Sequence, residues 1–503
     1  MKEMIRDEVG KGAIFLYIQL VASMVSGYVF IILLSKITTT EVIGTYSLLV
    51  AISEVLANIV IIGLADSIQR FVGKSLLRGK VSEAKLFVKI ALIFLSISLA
   101  VLSFVLLLFP DLLTKVFGIG FEYVIVIDMM VASYAIYTVM YSIVVASLKT
   151  KILPLIIIVS SISKVILSLG LVLVGAGVIG IALGYAFFGQ AFSSILLAIF
   201  IFRMFKRTKE FEKPQISVKN ASKDLLIGGF VIWIPALITT LGIDLGTLVL
   251  YNTNGPYQSG IYFLTLAIVN AIHAIVYSIY TISLPALSSM DDGRKRFAWH
   301  MIRLCAIIVL PLASAMLFFS KDILQLVGDN YTQGSLTMQI LLLSTFPVIV
   351  LSGVETLIYS YGKYRYAISI NLASSLPRTI LYFILVPSLG IAGVAISFTV
   401  GSVIGFIVSV IIAHKIAMKI LWKRLGLTLI IPISIAFIFD NLKVNYVTAI
   451  LITIILSYLI LTKLHIVEKS DGSFLLGLMP AKISKLFIII SNKFEKVIDW
   501  FFK

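Results

Sequence analysis

The chain has 503 residues, of which 60% are hydrophobic and 13% charged, and its mean hydropathy is +1.09. A composition this apolar excludes a water-soluble globular protein and indicates a polytopic membrane protein. The formal net charge is +17, but basic residues gather in the cytoplasmic loops of membrane proteins, so this charge does not by itself indicate a nucleic-acid partner. The single cysteine, Cys305, excludes an intrachain disulfide.

Apolar runs of about 20 residues, the length needed to cross a bilayer, recur along the whole chain. The first, from Ala13 to Leu34, is too long for the core of a cleaved signal peptide and is interpreted as a retained span. Thirteen more follow at approximately 44–65, 86–109, 123–148, 152–174, 178–202, 225–250, 260–284, 301–319, 336–360, 366–386, 391–413, 421–439 and 444–461. The sequence therefore predicts an all-α polytopic membrane protein with about 14 transmembrane helices.

The placement of basic residues gives the expected orientation. With a cytoplasmic N-terminus, 35 of the 41 Lys and Arg lie on the cytoplasmic side, and only Lys36, Lys115, Lys321 and Lys443 lie outside. A missed span would reverse the sidedness of everything after it, so this asymmetry supports an even number of spans. The prediction is a multi-pass protein of the cell (plasma) membrane with cytoplasmic N- and C-termini.

Two groups of six spans repeat one another. Gly44-Thr45-Tyr46 before the second span matches Gly260-Ile261-Tyr262 before the eighth, and the glycine-rich segment at 177–182 matches that at 390–395. An even number of spans per unit makes the repeats parallel, which favours two lobes around a central cleft. The predicted organisation is an N-terminal six-helix lobe at 1–202, a cytoplasmic linker at 203–224, a C-terminal six-helix lobe at 225–415, two accessory transmembrane helices at 416–464 and a cytoplasmic tail at 465–503.

The tail places apolar residues on one side of a helix from Ala481 to Lys503, with lysines elsewhere. This pattern is typical of a helix that lies on the inner membrane surface, and docking on a partner protein is the alternative.

Two basic residues fall near the middle of predicted spans, Lys164 in the fifth and Arg378 in the eleventh, 214 positions apart. A cation at mid-bilayer costs about 2.5–3.5 kcal/mol by insertion scales, so we expect both to face a hydrated cavity and to meet an anion. Polar residues share their helix faces, and Pro377 interrupts the backbone hydrogen bonding beside Arg378. The candidate substrate-binding residues are Lys164, Ser160, Ser161 and Ser168, with Arg378, Asn371, Ser374, Ser375 and Tyr382 in the second half.

Buried acids give the alternative interpretation, in which each cation is paired with a carboxylate that locks the helices together. Glu54, near the middle of the second span, is the best candidate partner, and Asp128 and Asp244 lie nearer the outer face. The same three acids are candidates for coupling to H⁺ or Na⁺. A second basic set, which is either a cytoplasmic vestibule for phosphates or a topology signal, comprises Lys149, Lys151, Lys363 and Arg365.

Enzyme signatures are weak. The four histidines show no metal-ligand spacing, and the sequence contains no Walker A pattern and no Cys/His cluster. No connection between spans is large enough for a catalytic domain. We expect a protein that is not an enzyme, with no cofactor, no metal site and no nucleic-acid partner.

Several motifs resemble a known family. Three segments are similar to those of polysaccharide exporters and O-antigen-type flippases: the stretch from Leu33 to Tyr46, the segment from Gly63 to Phe71, and Gly362-Lys363 followed by the run from Leu385 to Ala395. These belong to the multidrug/oligosaccharidyl-lipid/polysaccharide exporter superfamily. The resemblance implies two six-helix lobes around a central cavity and transport of a lipid-linked sugar by alternating access, and Lys164 and Arg378 fit its basic cavity by position.

The sequence-based hypothesis is a flippase that moves a polyprenyl-phosphate- or pyrophosphate-linked oligosaccharide from the inner to the outer leaflet for cell-surface polysaccharide or glycan biosynthesis. Its partners would be that lipid, membrane lipids and glycan-assembly enzymes. The first alternative is a cation-coupled antiporter for drugs or organic cations, which an essential Glu54 would favour. A non-transporting scaffold in envelope assembly is the second.

Overall fold

The structure, a computed structural model, describes residues 2–206, 214 and 216–467, and the regular structure in this part of the chain is helical. The helices up to the linker are α1 Lys2–Ile37, α2 Thr40–Ile61, α3 Leu64–Leu77, α4 Val81–Leu108, α5 Asp111–Phe117, α6 Phe121–Ala146, the 3₁₀ turn Thr150–Ile152, α7 Leu153–Leu173, α8 Gly177–Leu183, the π-helix Gly184–Ala191 and α9 Phe192–Lys206. Those that follow are α10 Val218–Ser289, α11 Arg294–Phe318, α12 Ser320–Val327, the 3₁₀ turn Asp329–Gly334, α13 Ser335–Leu343, α14 Thr345–Ser360, α15 Tyr364–Lys415, α16 Trp422–Asn441 and α17 Tyr446–Lys463. The predicted surface helix from Ala481 lies outside the described residues.

Eleven of the described helices are long and apolar enough to cross a membrane. Two of them, α10 and α15, each contain two predicted spans, because the backbone leaves the helical conformation at Gly255 (φ 81°, ψ 179°) and at Gly390 (φ 54°, ψ −130°). Glycine adopts such positive φ values at little steric cost. With each bent helix counted as two spans and α1 added, the helices match the fourteen spans that the sequence predicts.

The bend of α15 at Gly390 lies between the predicted spans 366–386 and 391–413, whereas the interruption predicted at Pro377 is not a bend. The sequence places an interruption at Pro377, but the residue of α15 with non-helical dihedral angles is Gly390, and Pro377 lies within the helix. A proline removes one hydrogen bond without ending a helix when neighbouring segments support it.

The chain divides into two compact units, and α10 and α15 contribute residues to both. Of the described residues, the first unit comprises those within 2–268, 327–337 and 371–404, and the second comprises those within 269–326, 338–370 and 405–467. In the first unit α2 packs against α6, α3 packs against α4 and α6, and α1 packs against α7. Its core contains fully buried Leu48, Ile127 and Ile143.

The second unit is built around α11. This helix packs against α14, α16 and α17, and it is buried over most of its circumference. A helix that is apolar on all sides is stable only when other helices surround it or lipid covers it. Ile307 of α11 and Leu461 of α17 belong to one buried cluster, which attaches the predicted accessory helices to this unit.

Candidate functional site

Lys164 lies on α7 with its ammonium group between two aromatic rings. The Nζ atom is 4.7 Å from the ring centre of Phe30 on α1 and 5.7 Å from that of Tyr185 in the π-helix. A β-carbon at Gly189 would lie 3.3 Å from the Lys164 Cδ atom, so this glycine leaves room for the lysine stem. Cation–π contacts of this kind contribute about 0.5–2 kcal/mol, which offsets only part of the cost of removing the cation from water.

Two serines predicted to share this face of α7, Ser160 and Ser168, are buried, and Ser168 lies against the π-helix. The hydroxyl groups of Ser160 and Ser168 are buried and have no hydrogen-bond partner among the described residues. A β-carbon at Gly184 would lie 1.9 Å from the Ser168 Oγ atom, so the π-helix begins in direct contact with α7. π-Helical turns are rare and frequently occur at functional sites. The sequence gives no recognisable signal for this one.

Arg378 lies on α15, where neighbouring residues surround it closely, and its side chain is buried, with 6% of the residue exposed. Its guanidinium carbon is 4.0 Å from the ring centre of Phe398, and its Nη2 atom donates to the Ser402 Oγ atom at 3.2 Å. Its Nη1 atom lies 3.5 Å from the carbonyl oxygen of Gly242, the limit for a hydrogen bond. The buried Nε–H group has no hydrogen-bond partner among the described residues, so part of its donor capacity is unused.

The polar residues predicted around Arg378 converge on one turn of α10. Tyr382 donates from its hydroxyl to the carbonyl oxygen of Gly242 at 3.1 Å, and a β-carbon at Gly242 would lie 2.7 Å from the Ser375 Oγ atom. The hydroxyl of Ser374 donates to the carbonyl oxygen of Asn371 within its own helix at 3.0 Å. The structure therefore brings Ser375, Arg378 and Tyr382 together at Gly242.

The two basic sites are built from nearly corresponding positions of the two repeats, at offsets of 212 to 214 residues. Each consists of a cation on one helix and, on the following span, an aromatic ring that covers it and a glycine that makes room for it. The matched pairs are Lys164 with Arg378, Tyr185 with Phe398, and Gly189 with Gly401. Sequence reasoning found the cations but missed these rings and glycines.

The surroundings of Gly189 and Gly401 predict that substitution by alanine will lower the stability of the fold by different amounts. A β-carbon at Gly401 would lie 2.4 Å from the carbonyl oxygen of Ser374, whereas one at Gly189 would meet only the flexible lysine stem. Gly401→Ala is expected to destabilise the fold by about 1–3 kcal/mol, as overpacking does, and Gly189→Ala by much less. Thermal unfolding in detergent measures both, and equal losses of stability would contradict the difference in packing.

No ion pair with a carboxylate involves Lys164 or Arg378 in the part of the chain that the structure describes. Glu54, the partner considered for them, instead interacts electrostatically with Asp244 of α10. Tyr134 of α6 also lies close enough to both carboxyl groups to interact with their charges. Within residues 2–206 and 216–467, no hydrogen bond or ion pair to either carboxyl group is present.

The remaining predicted residues lie apart from these sites. Ser161 accepts a hydrogen bond from Ser26 of α1 at 2.9 Å, where the two helices line an apolar groove. Asp128 accepts one from Ser103 at 2.8 Å. In the predicted vestibule, exposed Lys149 and Lys151 belong to the first unit, exposed Lys363 and Arg365 belong to the second, and the Lys363 Nζ atom is 5.7 Å from the ring centre of Tyr361.

Helix α2 contacts α10 at both of its ends through glycines. Near its start, a β-carbon at Gly44 would lie 1.8 Å from the carbonyl oxygen of Pro256, and one at Gly260 would lie 2.0 Å from that of Thr40. Just after its end, a β-carbon at Gly63 would lie 2.2 Å from the carbonyl oxygen of Gly229. Gly44 and Gly260 are the residues that the repeat alignment pairs, so corresponding turns of the two repeats meet each other.

The fold is similar to that of solved membrane transporters. One is lipid II flippase MurJ in an inward closed conformation, with a TM-score of 0.68 and 16% identity over 90% of this chain and 98% of that protein. Another is an inward-facing multidrug resistance MATE family transporter of the MOP superfamily, with a TM-score of 0.62 and 15% identity over 78% of this chain and 94% of that one. A variant of the Vibrio cholerae MATE transporter VcmN matches with a TM-score of 0.56 and 14% identity, over 82% and 96% of the two chains. No curated protein matches the chain in sequence.

These similarities, at 14–16% identity, are similarities of the helical fold. The model of the family described as "Polysaccharide biosynthesis protein" matches residues 9–291, which is more than half of the chain. The chain belongs to this family.

Proposed function

We propose that this transporter flips a polyprenyl-phosphate- or pyrophosphate-linked oligosaccharide from the inner to the outer leaflet of the cell membrane, for the synthesis of cell-surface polysaccharide or glycan. The phosphate groups bind to Lys164 and Arg378. The sugar passes through the interior of the protein and the lipid chain stays in the bilayer. Both termini are cytoplasmic in this proposal.

The observation that carries the proposal is the pair of matched cations. Each is covered by an aromatic ring, and neither forms an ion pair with a carboxylate among the described residues. A cation–π contact is weaker than a charge-assisted hydrogen bond to phosphate, so an anionic ligand gains by replacing it. The guanidinium of Arg378 also has the planar fork that binds phosphate in a bidentate manner. A neutral or cationic substrate would gain no comparable electrostatic attraction from two buried positive charges.

The helix that carries Lys164 also offers a place for the lipid chain. On the adjoining face of α7, residues including Ile158, Ile162 and Ile166 line an apolar groove of about 360 Å³ with Val25 and Val29 of α1. In this proposal the polyprenyl chain lies along the groove while its phosphate reaches Lys164. The apolar chain then remains in contact with lipid throughout transport, and only the headgroup has to be dehydrated.

Alternating access requires one end of the α2–α10 contact to open while the other stays closed. The glycine contacts at Gly44 and at Gly63 suit this purpose, because backbone surfaces in direct contact exclude water and separate without unpacking large side chains.

A reconstitution experiment tests the proposed substrate. The purified protein in liposomes is expected to flip a fluorescent polyprenyl pyrophosphate oligosaccharide much faster than a glycolipid that has the same sugar and chain but no phosphate. Protein-free liposomes give the background. Equal flipping of both lipids would contradict phosphate recognition, and export of organic cations in place of either would favour the antiporter.

A second candidate function, transport coupled to a cation, is favoured by one specific observation. Glu54 and Asp244 come from different repeats, interact electrostatically, and have no hydrogen-bond or ion-pair partner in the described part of the chain. Two carboxylates held in this way bind H⁺ or Na⁺ readily, because a cation relieves their repulsion. We propose that they couple flipping to an ion gradient, and the same pair would serve a drug antiporter.

Glu54→Gln with Asp244→Asn is expected to remove the response of flipping to an imposed pH or Na⁺ gradient. Because coupling energies of about 1–3 kcal/mol correspond to 5- to 150-fold effects, gradient-driven flipping should fall at least about fivefold. Binding of the lipid should remain. Asp111→Asn, which removes an exposed acid paired with Lys115, is the control. A variant that still responds fully to both gradients would contradict the coupling role.

A further inference from the structure

A second cavity in the first unit lies away from Lys164 and Arg378. It has a volume of about 490 Å³, within the range of about 300–1,000 Å³ typical of small-molecule sites. Three connections form it: that between α1 and α2, the bend of α10, and the 3₁₀ turn after α12. The lining residues are Ser35, Thr38, Thr39, Thr40, Glu41, Tyr257, Gly328, Asp329, Asn330 and Tyr331. The basic-residue pattern predicts that these connections face the outside.

The charge of this cavity is opposite to that of the interior sites. Glu41 and Asp329 contribute two carboxylates, and none of the lining residues, all of which the structure describes, is Lys or Arg. Phosphate and other anions would be repelled here. The cavity therefore suits a different part of a ligand from the part that the interior cations would hold.

Several of its polar groups are available to a ligand. The carboxylates of Glu41 and Asp329 have no hydrogen-bond or ion-pair partner among the described residues. The hydroxyl of Tyr257 accepts from Gln333 Nε2 at 3.1 Å and keeps its own proton to donate. Tyr331 is 3% exposed, and its hydroxyl approaches Thr40 without the geometry of a hydrogen bond, which leaves a buried polar group in the wall unsatisfied.

We propose that this cavity binds neutral sugar residues. Identifying these sugars as those of the transported lipid rests on the proposed function. Sugar hydroxyls donate to carboxylates, and the C–H face of a sugar packs against an aromatic ring such as that of half-buried Tyr257. A calcium ion is the other ligand that two carboxylates suggest, but an ion that takes its oxygen ligands at about 2.3–2.6 Å would leave most of this volume empty.

The position of the cavity gives this site a role in transport. Thr40 lines the cavity, and its carbonyl oxygen is the atom that a β-carbon at Gly260 would meet at 2.0 Å. The sugar site therefore adjoins the closed glycine contact between α2 and α10. A glycan bound there after opening holds the headgroup on the release side while the contact closes behind it.

Binding of free sugar tests the proposal without flipping. The probe is the oligosaccharide released by mild acid from the host's own lipid-linked glycans, observed by saturation-transfer NMR with the full-length protein in nanodiscs. We expect saturable binding that weakens at least about tenfold in the double variant Glu41→Gln with Asp329→Asn, because each removes a charge-assisted acceptor. Tyr257→Ala should also weaken it. Asp111→Asn, an exposed acid outside the cavity, is the matched control.

The outcomes separate this proposal from the proposed function. Lys164→Gln with Arg378→Gln should leave sugar binding unchanged, so a failure of flipping does not affect this test. Absence of sugar binding by the unchanged protein, equal binding by the double acid variant, or binding of Ca²⁺ without sugar in a parallel titration would each overturn the sugar site. Such a result would leave phosphate recognition inside the protein intact.

Discussion

Replacing Lys164 and Arg378 together by glutamine is expected to slow flipping of a polyprenyl pyrophosphate oligosaccharide at least about 100-fold. Hydrogen bonds to charged groups contribute about 1.5–3 kcal/mol each, or roughly tenfold or more per site. The measurement is the initial flipping rate in liposomes that contain equal amounts of folded protein. Lys115→Gln removes an exposed lysine and is expected to have no effect.

The single variants distinguish the two sites. Among the described residues, the Lys164 ammonium contacts the Phe30 and Tyr185 rings and makes no hydrogen bond, so Lys164→Arg should keep most of the rate. Arg378 is fixed by Ser402 and Phe398, and a lysine there loses the planar fork. Arg378→Lys is therefore expected to lose about tenfold or more despite its retained charge. Full activity of the double glutamine variant would contradict the assignment of both sites.

Gly44→Ala is expected to open the contact between α2 and the bend of α10, because the added carbon would lie 1.8 Å from the carbonyl oxygen of Pro256. Backbone cannot move aside as a side chain does. An overpacking cost of about 1–3 kcal/mol corresponds to a 5- to 150-fold shift between closed and open arrangements. Flipping should fall by a similar factor because the cycle can no longer close this end.

Cysteine labelling measures the shift. In a Cys305→Ser background, Thr40→Cys should react faster with a polar maleimide in nanodiscs when Gly44→Ala is present. Gly63→Ala, with its added carbon 2.2 Å from Gly229, should leave that rate unchanged or lower. Gly27→Ala is the control, since no atom lies within 4 Å of an added carbon there. Unchanged labelling in the Gly44 variant would show that this contact does not govern access.

Most of the fold could be predicted from the sequence, because a bilayer imposes simple requirements on the segments that cross it. Spans must be long and apolar, so hydropathy locates the helices, and the basic loops predict their sidedness. The bends at Gly255 and Gly390 join spans that the sequence separates, and neither changes the count. The regular helix at Pro377 was not predictable, because a proline and a glycine are both able to interrupt a helix and packing selects between them.

The candidate site could be predicted only in part. A cation in the middle of an apolar run is visible in the sequence because it is costly there. The Phe398 ring over Arg378 and the Tyr185 ring beside Lys164 are not visible, because aromatic residues are common in spans. Aligning the repeats beyond the cations is the signal that finds them. The interaction of Glu54 with Asp244 depends on how α2 meets α10, which no local pattern specifies.

The most direct test of phosphate recognition by Lys164 and Arg378 is photo-crosslinking. A polyprenyl pyrophosphate with a photoreactive group beside the pyrophosphate is bound to the protein in nanodiscs, and the labelled peptides are identified by mass spectrometry. We predict labels on α7 around Lys164 and on α15 around Arg378, lost when both residues are glutamine. Labels confined to α16 and α17, or unchanged in that variant, would contradict the proposed site.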